Sequence, residues 1–340
     1  MVDAAARLTG SMEMTVFHRN ETRDPLPERL HGGVVAIGNF DGVHRGHQSV
    51  LNRALDEARG RGVPALVLTF EPHPRTVFRP DRPVFRLTPA PLKARILEGM
   101  GFGAVIEYPF DRTFSELSAF DFIHRILREW LHASHVVTGF DFHFGKGREG
   151  GPAFLMAAGE REGFGVTLVD AFRDENADVI SSSVIRSLLA EGDVAQAAGL
   201  LGYRYAVEAE VIGGKKLGRA LGYPTANMRL PPEAEIKSGI YAVRFRRADG
   251  VLYDGIASFG RRPTVDSDGE ALLETFVFDF TGELYGEVCA VSFFGRLRDE
   301  LKFDGLEPLM AQMKEDESEA RALLAGVQPL SGIDRSLNFA

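Results

Sequence analysis

The sequence predicts two domains: an α/β domain with a parallel sheet covered on both faces, then a compact antiparallel β-barrel closed by a helix. Three observations carry that prediction. In the first part, short apolar runs alternate with segments whose apolar residues recur at helical spacing. Past residue 203, strand-like segments follow one another with turn chemistry between them. All nine histidines lie between His18 and His143, so the second domain contains none.

The elements follow in order. Gly33 to Ile37 is a short apolar run that suits a buried strand, and Val50, Leu51, Ala54, Leu55 and Ala58 mark a helix after it. Ala65 to Phe70 reads as a strand, Leu92 to Met100 as a helix and Ala104 to Tyr108 as the next strand. A helix from about Ala119 to Leu131 leads to the strand His135 to Gly139, and a helix near Phe154 to Glu162 leads to Val166 to Val169. Another helix around Ser183 to Glu191 gives way to an Ala/Gly-rich stretch to Gly202, and the boundary is expected near 190–203. Beyond it Tyr205–Ile212, Gly239–Arg246, Leu252–Ala257, Leu273–Phe280 and Gly286–Phe294 read as strands. Asp249-Gly250, Asp268-Gly269 and Thr281-Gly282 supply turns. In the closing helix Leu306, Leu309, Met310 and Met313 share a face that is expected to pack on the barrel. The expected division is a loose extension over 1–13, a first domain over 14–195 and a second over 203–340.

Composition narrows the functional classes. A chain of 340 residues is long enough for two cores. A net charge of −9 argues against a nucleic-acid partner held by a basic surface. The lone Cys289 excludes an internal disulfide framework and a multi-cysteine zinc site, and its apolar surroundings suit a small buried side chain. No run reaches the ~18 apolar residues that cross a bilayer, and residues 1 to 12 lack the apolar core of a signal peptide. A cytoplasmic protein without a membrane partner is expected; an oligomer is allowed but not indicated.

The most informative stretch is Gly38-Asn39-Phe40-Asp41-Gly42-Val43-His44-Arg45-Gly46-His47. It sits on a strand-to-helix turn, where unpaired helix-start amides favour an anion and glycines allow close approach. Two imidazoles add hydrogen-bond donors, so the phosphates of a nucleotide fit here. The i, i+3 spacing of His44 and His47 also suits a metal pair or a structural pair, but no third ligand has suggestive spacing and HExxH is absent. Three more clusters could meet the decapeptide at the carboxyl edge of the sheet: Glu71-Pro72-His73-Pro74, Gly139 to Gly145 around Asp141, and Ser181-Ser182-Ser183 with Arg186 one turn on. Hydroxyls that open a helix are also ordinary caps. Gly145 to Gly150 fits GxGxxG, but Gly151-Pro152 delays the helix that a dinucleotide fingerprint needs.

In the second domain, Gly213 to Arg219 is glycine-rich with two lysines and an arginine, and precedes Pro224-Thr225-Ala226-Asn227. Backbone amides and cations there could wrap phosphates, although no Walker loop is present. Leu273 to Phe280 alternates, which would place Glu274, Phe276, Phe278 and Phe280 on one face. On the inner face of a barrel such a carboxylate is costly unless satisfied or functional; facing outward it would be merely solvated. Without histidine, a general base in this domain is most naturally a carboxylate.

Phe40 to His47 resembles the HxGH element of nucleotidyltransferases. With Glu71-Pro72-His73-Pro74, the Ser-Ser-Ser-x-Ile-Arg run and Pro-Thr-Ala-Asn, the chain is similar to the prokaryotic bifunctional riboflavin kinase and FAD synthetase family from about Gly33 to the final helix. The resemblance implies a Rossmann-like nucleotidyltransferase α/β/α domain and a riboflavin kinase barrel. It implies that riboflavin is phosphorylated to FMN by ATP, and that FMN is adenylylated by a second ATP to FAD and pyrophosphate. By the same likeness, Gly38, Phe40, Asp41, Gly46, His73, Asp141, Ser182 and Ser183 would border the adenylyltransferase nucleotide, with His44, His47 and Arg186 stabilising charge on the triphosphate. Gly214, Lys216, Gly218 and Arg219 would hold the kinase nucleotide, and Thr225 and Asn227 the Mg²⁺ and phosphates. Glu274 would deprotonate the ribityl hydroxyl, and Arg298 and Phe303 would border the flavin. The chain departs from the family at Gly213, Asp141, Ser183 and Ser258, where histidine, asparagine, threonine and asparagine are frequent. A kinase alone, with a degenerate first domain, is the alternative; it would make FMN but no FAD.

Overall fold

The computed structural model describes residues 14–18, 25–175, 177–213, 225–264 and 267–340. Its contacts group Met1–Val84 with Thr88–Val179 in one unit, and Phe85–Leu87 with Ile180–Ala340 in another.

In the first unit the strands are β1 (Thr15–His18), β2 (Val34–Ile37), β3 (Ala65–Glu71), β4 (Ala104–Pro109), β5 (His135–Gly139) and β6 (Gly165–Val169). They form a six-stranded parallel sheet in the order β1-β4-β3-β2-β5-β6. β1 is an edge strand that the sequence pattern does not announce. Every residue of β2 is buried, which its unbroken apolar run requires at the centre of a parallel sheet. The chain steps from β2 to one side through β3 and β4, then returns to the other side with β5. The sheet therefore changes direction beside β2, and open α/β sheets bind ligands outside the carboxyl ends of the strands at such a point.

The helices of this unit are α1 (Arg45–Arg61), α2 (Pro74–Phe78), α3 (Ala90–Met100), α4 (Arg112–Ser115), α5 and α6 (Pro152–Glu162). α5 opens at Ala119–Asp121 and runs on with wider π-type turns through Phe122–Trp130, where the Leu131 amide reaches the Ile126 carbonyl. Ile123, Ile126 and Leu127 of that segment join Val35, Ile37 and Leu66 in the core. Gly145 to Gly150 is a loop closed by a Phe144–Gly150 bridge, and the helix starts only at Pro152, as the delayed-helix reading expects.

The second unit opens with α7 (Ser182–Glu191) and α8 (Val194–Leu201). α8 occupies the Ala/Gly-rich stretch read as a boundary. Alanine is the best helix former, the Asp193 side chain caps the Gln196 amide, and Gly202 ends the helix at φ 77°. The strands β7 (Ala206–Ile212), β8 (Thr225–Arg229), β9 (Gly239–Arg246), β10 (Leu252–Thr264), β11 (Ser267–Val277) and β12 (Val288–Arg298) close an antiparallel barrel in the order β10-β11-β8-β7-β12-β9. Tyr241, Val243, Phe245, Phe259, Leu273, Val291 and Phe293 are fully buried and alternate along their strands, as inward residues of a small barrel do. Two turns differ from expectation. Asp268-Gly269 lies inside β11, and β11 stops at Val277, so Phe278 and Phe280 do not continue the face of Glu274.

The closing helices are α9 (Leu306–Ala325) and α10 (Gly332–Asn338). Ala320, Leu323 and Leu324 of α9 pack on Ala242, Ile256 and Phe294. The expected face is therefore only half used: Leu306 and Met310 belong to the same helical stripe but stay 56% and 43% exposed. Periodicity defines a stripe, not how far along its length a neighbour reaches. Asp334 of α10 is fully buried; it pairs with the Arg204 guanidinium and accepts from Arg204 N, Leu330 N and Asn338 Nδ2, each at 2.9 Å.

Candidate active sites

β2 ends at the change of direction in the sheet, and the decapeptide follows it directly. His44 is the N-cap of α1: its Nδ1 accepts from the His47 amide at 3.3 Å. A neutral His44 ring therefore carries its proton on Nε2, which makes that nitrogen a donor. The rings of His44 and His47 stack at 3.6 Å between centroids and 19°. Phe40 meets His47 edge-on at 5.5 Å and lies over Gly38, where a Cβ would come within 2.9 Å of the ring. Burial, then His44, then Lys93 hold the His47 imidazole well below the usual histidine range. Its Nδ1 and the Asn39 Oδ1 are buried, with no hydrogen-bond partner among the described residues. Buried polar atoms are normally paired, so these two are suited to groups of a ligand. The α1 amides around Gly46 add the anion preference of a helix start.

Asp41 is 2% exposed, and its Oδ1 accepts from the Thr88 amide at 3.1 Å while Thr88 Oγ1 accepts from Gly42 N at 2.8 Å. This reciprocal clasp shapes the turn. Lys93 on α3 is fully buried and donates to Asn39 O, Thr69 Oγ1 and Glu71 Oε1 at 3.2, 2.9 and 3.1 Å. Sequence reasoning named neither Thr88 nor Lys93; a lysine among apolar helix residues looks solvated until tertiary structure covers it. Arg45, between the histidines, makes a two-pronged ion pair with Glu175 at 2.6 and 3.0 Å, which lowers the Glu175 carboxyl to about 2.

The remaining predicted residues of this site divide. His73 follows β3, is 8% exposed, and caps α2 by accepting from Arg75 N. Asp141 follows β5 and is exposed. Both thus stand at carboxyl ends of the strands flanking β2. Ser182 and Ser183 open α7, and Arg186 donates Nε to Phe85 O at 2.7 Å; by their contacts all three group with the second unit.

On the barrel, Glu274 of β11 lies directly opposite Asn227 of β8 and Ser258 of β10. Directly opposed residues share a face. Thr225, two residues from Asn227, shares it too. Leu273 and Thr275, the alternates, are fully buried, so Thr225, Asn227, Glu274 and Ser258 line the outer wall. Of the two faces left open for Glu274, the structure takes the outer one: it faces outward, half-buried, on a cavity of about 60 Å³ lined by Ser258, Gly260, Arg261, Leu272 and Glu300. Asn227 is 5% exposed, and its Nδ2 donates to Thr225 O at 3.1 Å, which leaves Oδ1 as the acceptor end. The row continues through Ile240 to Arg298. Arg298 grips the buried Asp316 of α9 through Nε and Nη2 at 2.7 and 2.6 Å, and Phe303 lies part-buried before that helix. Asp316, a buried acid on a helix, is a further residue the sequence did not single out. Gly214, Lys216, Gly218 and Arg219 lie outside the described residues.

A FAD synthetase family model matches residues 26–184, and a riboflavin kinase model matches 201–324. The bifunctional riboflavin kinase/FMN adenylyltransferase of Haemophilus influenzae is 40% identical over 295 residues, which cover 86% of this chain and 94% of that protein. The chain belongs to the bifunctional riboflavin kinase/FMN adenylyltransferase family. A Pseudomonas fluorescens member is 41% identical over 87% of this chain and 94% of its own. A solved Streptococcus pneumoniae structure, titled a macrolide-efflux protein, shares the fold with a TM-score of 0.80 at 30% identity, covering 90% of this chain and 98% of that one. Among the described residues no helix is long and apolar enough to cross a membrane. In this family member the FAD synthetase match carries the stacked histidines, and the riboflavin kinase match carries the Asn227–Glu274–Ser258 row.

Proposed function

We propose that the chain converts riboflavin to FAD in two ATP-dependent steps at separate sites, with the residues above in named roles. The observation that carries the reading is the row on the barrel wall. In a domain without histidine, one carboxylate, Glu274, stands directly opposite the oxygen donor Asn227, with Thr225 two residues along the same face. Glu274 takes the proton of the riboflavin 5′ hydroxyl as that oxygen attacks the γ-phosphorus of ATP, giving FMN and ADP. Positioning and charge neutralisation supply most of the catalysis in such transfers.

Among the described residues no trio of His, Cys, Asp or Glu could hold a metal ion. Thr225 Oγ1 and Asn227 Oδ1 are hard oxygen donors, which suit Mg²⁺ shared with substrate phosphates. When bound there, Mg²⁺ would neutralise phosphate charge.

At the decapeptide, a phosphate oxygen of FMN attacks the α-phosphorus of a second ATP and pyrophosphate leaves. The attacking group is already an anion, so no protein nucleophile is needed. His44, His47 and the α1 amides stabilise the charge that develops. The partners on this reading are small molecules rather than nucleic acid, and the enzyme is cytoplasmic.

A product assay with riboflavin, ATP and Mg²⁺ tests the assignment. Glu274→Ala is expected to stop FMN formation while supplied FMN still becomes FAD; His47→Ala is expected to do the reverse. If either change abolished both steps in a normally folded protein, the two-site assignment would be wrong.

A further inference from the structure

A lysine is almost never fully buried unless it is paired. Lys93 is fully buried, and its three acceptors come from two neighbouring strand ends. Asn39 O belongs to the decapeptide just after β2, at 3.2 Å; Thr69 Oγ1 and Glu71 Oε1 belong to the end of β3, at 2.9 and 3.1 Å. Five residues earlier, Thr88 clasps Asp41 and Gly42 of the same turn. Between and beside these tethers, Phe40 has φ 46° and Val43 φ 36°. Bulky residues rarely adopt that left-handed backbone, which persists only where the surroundings over-determine it. Val43 immediately precedes His44, so the strained turn aims the capping histidine and the ring stacked on it.

We propose that Lys93, assisted by Thr88, is a positioning residue for adenylyl transfer, tying the ends of β2 and β3 together so that the Phe40–Val43 turn presents His44 and His47 to the phosphates. The proposal rests on the reading of the decapeptide as the adenylyl-transfer site. Lys93 touches no substrate on this account and acts through the turn. Its ammonium also disfavours a second cation nearby and so contributes to keeping His47 neutral.

The test uses the full-length protein, with FMN formation from riboflavin as the internal control for folding. Lys93→Met is expected to lower the kcat of FAD formation from supplied FMN roughly tenfold or more, because small misplacements are costly in rate. Removing the cation also raises the His47 basicity, so the acid limb of that activity moves to higher pH; Lys93→Arg, which keeps the charge, leaves the limb in place. Thr88→Val removes only the hydroxyl that accepts from Gly42, and is expected to lower FAD formation with the kinase step intact. FAD formation by Lys93→Met and Thr88→Val within about twofold of the parent, with an unshifted limb, overturns the proposal, because misplaced groups cost far more. So does equal loss of both activities in Lys93→Met and Thr88→Val, which would mark a purely structural brace. Full FAD formation by His47→Ala would instead overturn the site reading and this proposal with it.

Discussion

Replacing His44 separates two jobs that its imidazole performs at once. Its Nδ1 caps α1 by accepting from the His47 amide at 3.3 Å, and its ring, 5% exposed, stacks on His47. His44→Ala removes both the cap and the ring; His44→Asn restores a capping acceptor but no imidazole. Loss of an N-cap costs about 0.5–2 kcal/mol, whereas asparagine is among the best caps. A destabilisation of about 1 kcal/mol lowers Tm by about 2–4 °C in a unit of this size. Loss of one donor to a developing oxyanion costs about 2.7–4 kcal/mol, or about 10²–10³ in rate. Both variants are therefore expected to lose about two to three orders of magnitude in FAD formation from FMN, while only His44→Ala loses thermal stability. The assay is the initial rate of FAD formation with supplied FMN and ATP, alongside FMN formation from riboflavin and a melting curve. If His44→Asn kept FAD formation within about threefold of the parent, the ring would be a cap and nothing more, since a lost donor costs far more.

Other perturbations read different parts of the structure. His47 is held below the unfolded histidine value of about 6.5, so the unfolded chain binds the proton more readily. Its contribution is complete above that value and is lost as pH falls through it toward the folded pKa; melting curves from pH 8 downward should show that loss, and His47→Phe should flatten it. Asp334→Ala strands the buried Arg204 guanidinium and should cost about 3–5 kcal/mol in urea unfolding of the barrel unit. An unchanged midpoint would refute that account. Gly260→Ala would put a methyl group 2.7 Å from Glu300 Oε1 beside Glu274. FMN formation should fall while FAD formation from supplied FMN holds, and equal loss of both would point to misfolding instead.

Sequence by itself determined the strand β2, whose apolar run suits a buried strand, and the helix α1 with its glycine-and-histidine entry. It also determined β9, read over Gly239–Arg246 and observed over the same residues. These signals are local: periodicity, cap chemistry and turn residues act within a few positions. Tertiary structure alone decided the rest. A two-residue alternation defines two faces of β11 but not which of them closes the barrel, so Glu274 could be assigned outward only when Leu273 and Thr275 were seen buried. Helical spacing united Leu306, Leu309, Met310 and Met313 in one face, but the seat of α9 on the barrel is made further along the helix, by Ala320, Leu323 and Leu324. Lys93 carries no local mark at all. Its burial exists because Asn39, Thr69 and Glu71 converge on it from positions up to 54 residues away, and such convergence belongs to the folded chain rather than to any window of its sequence.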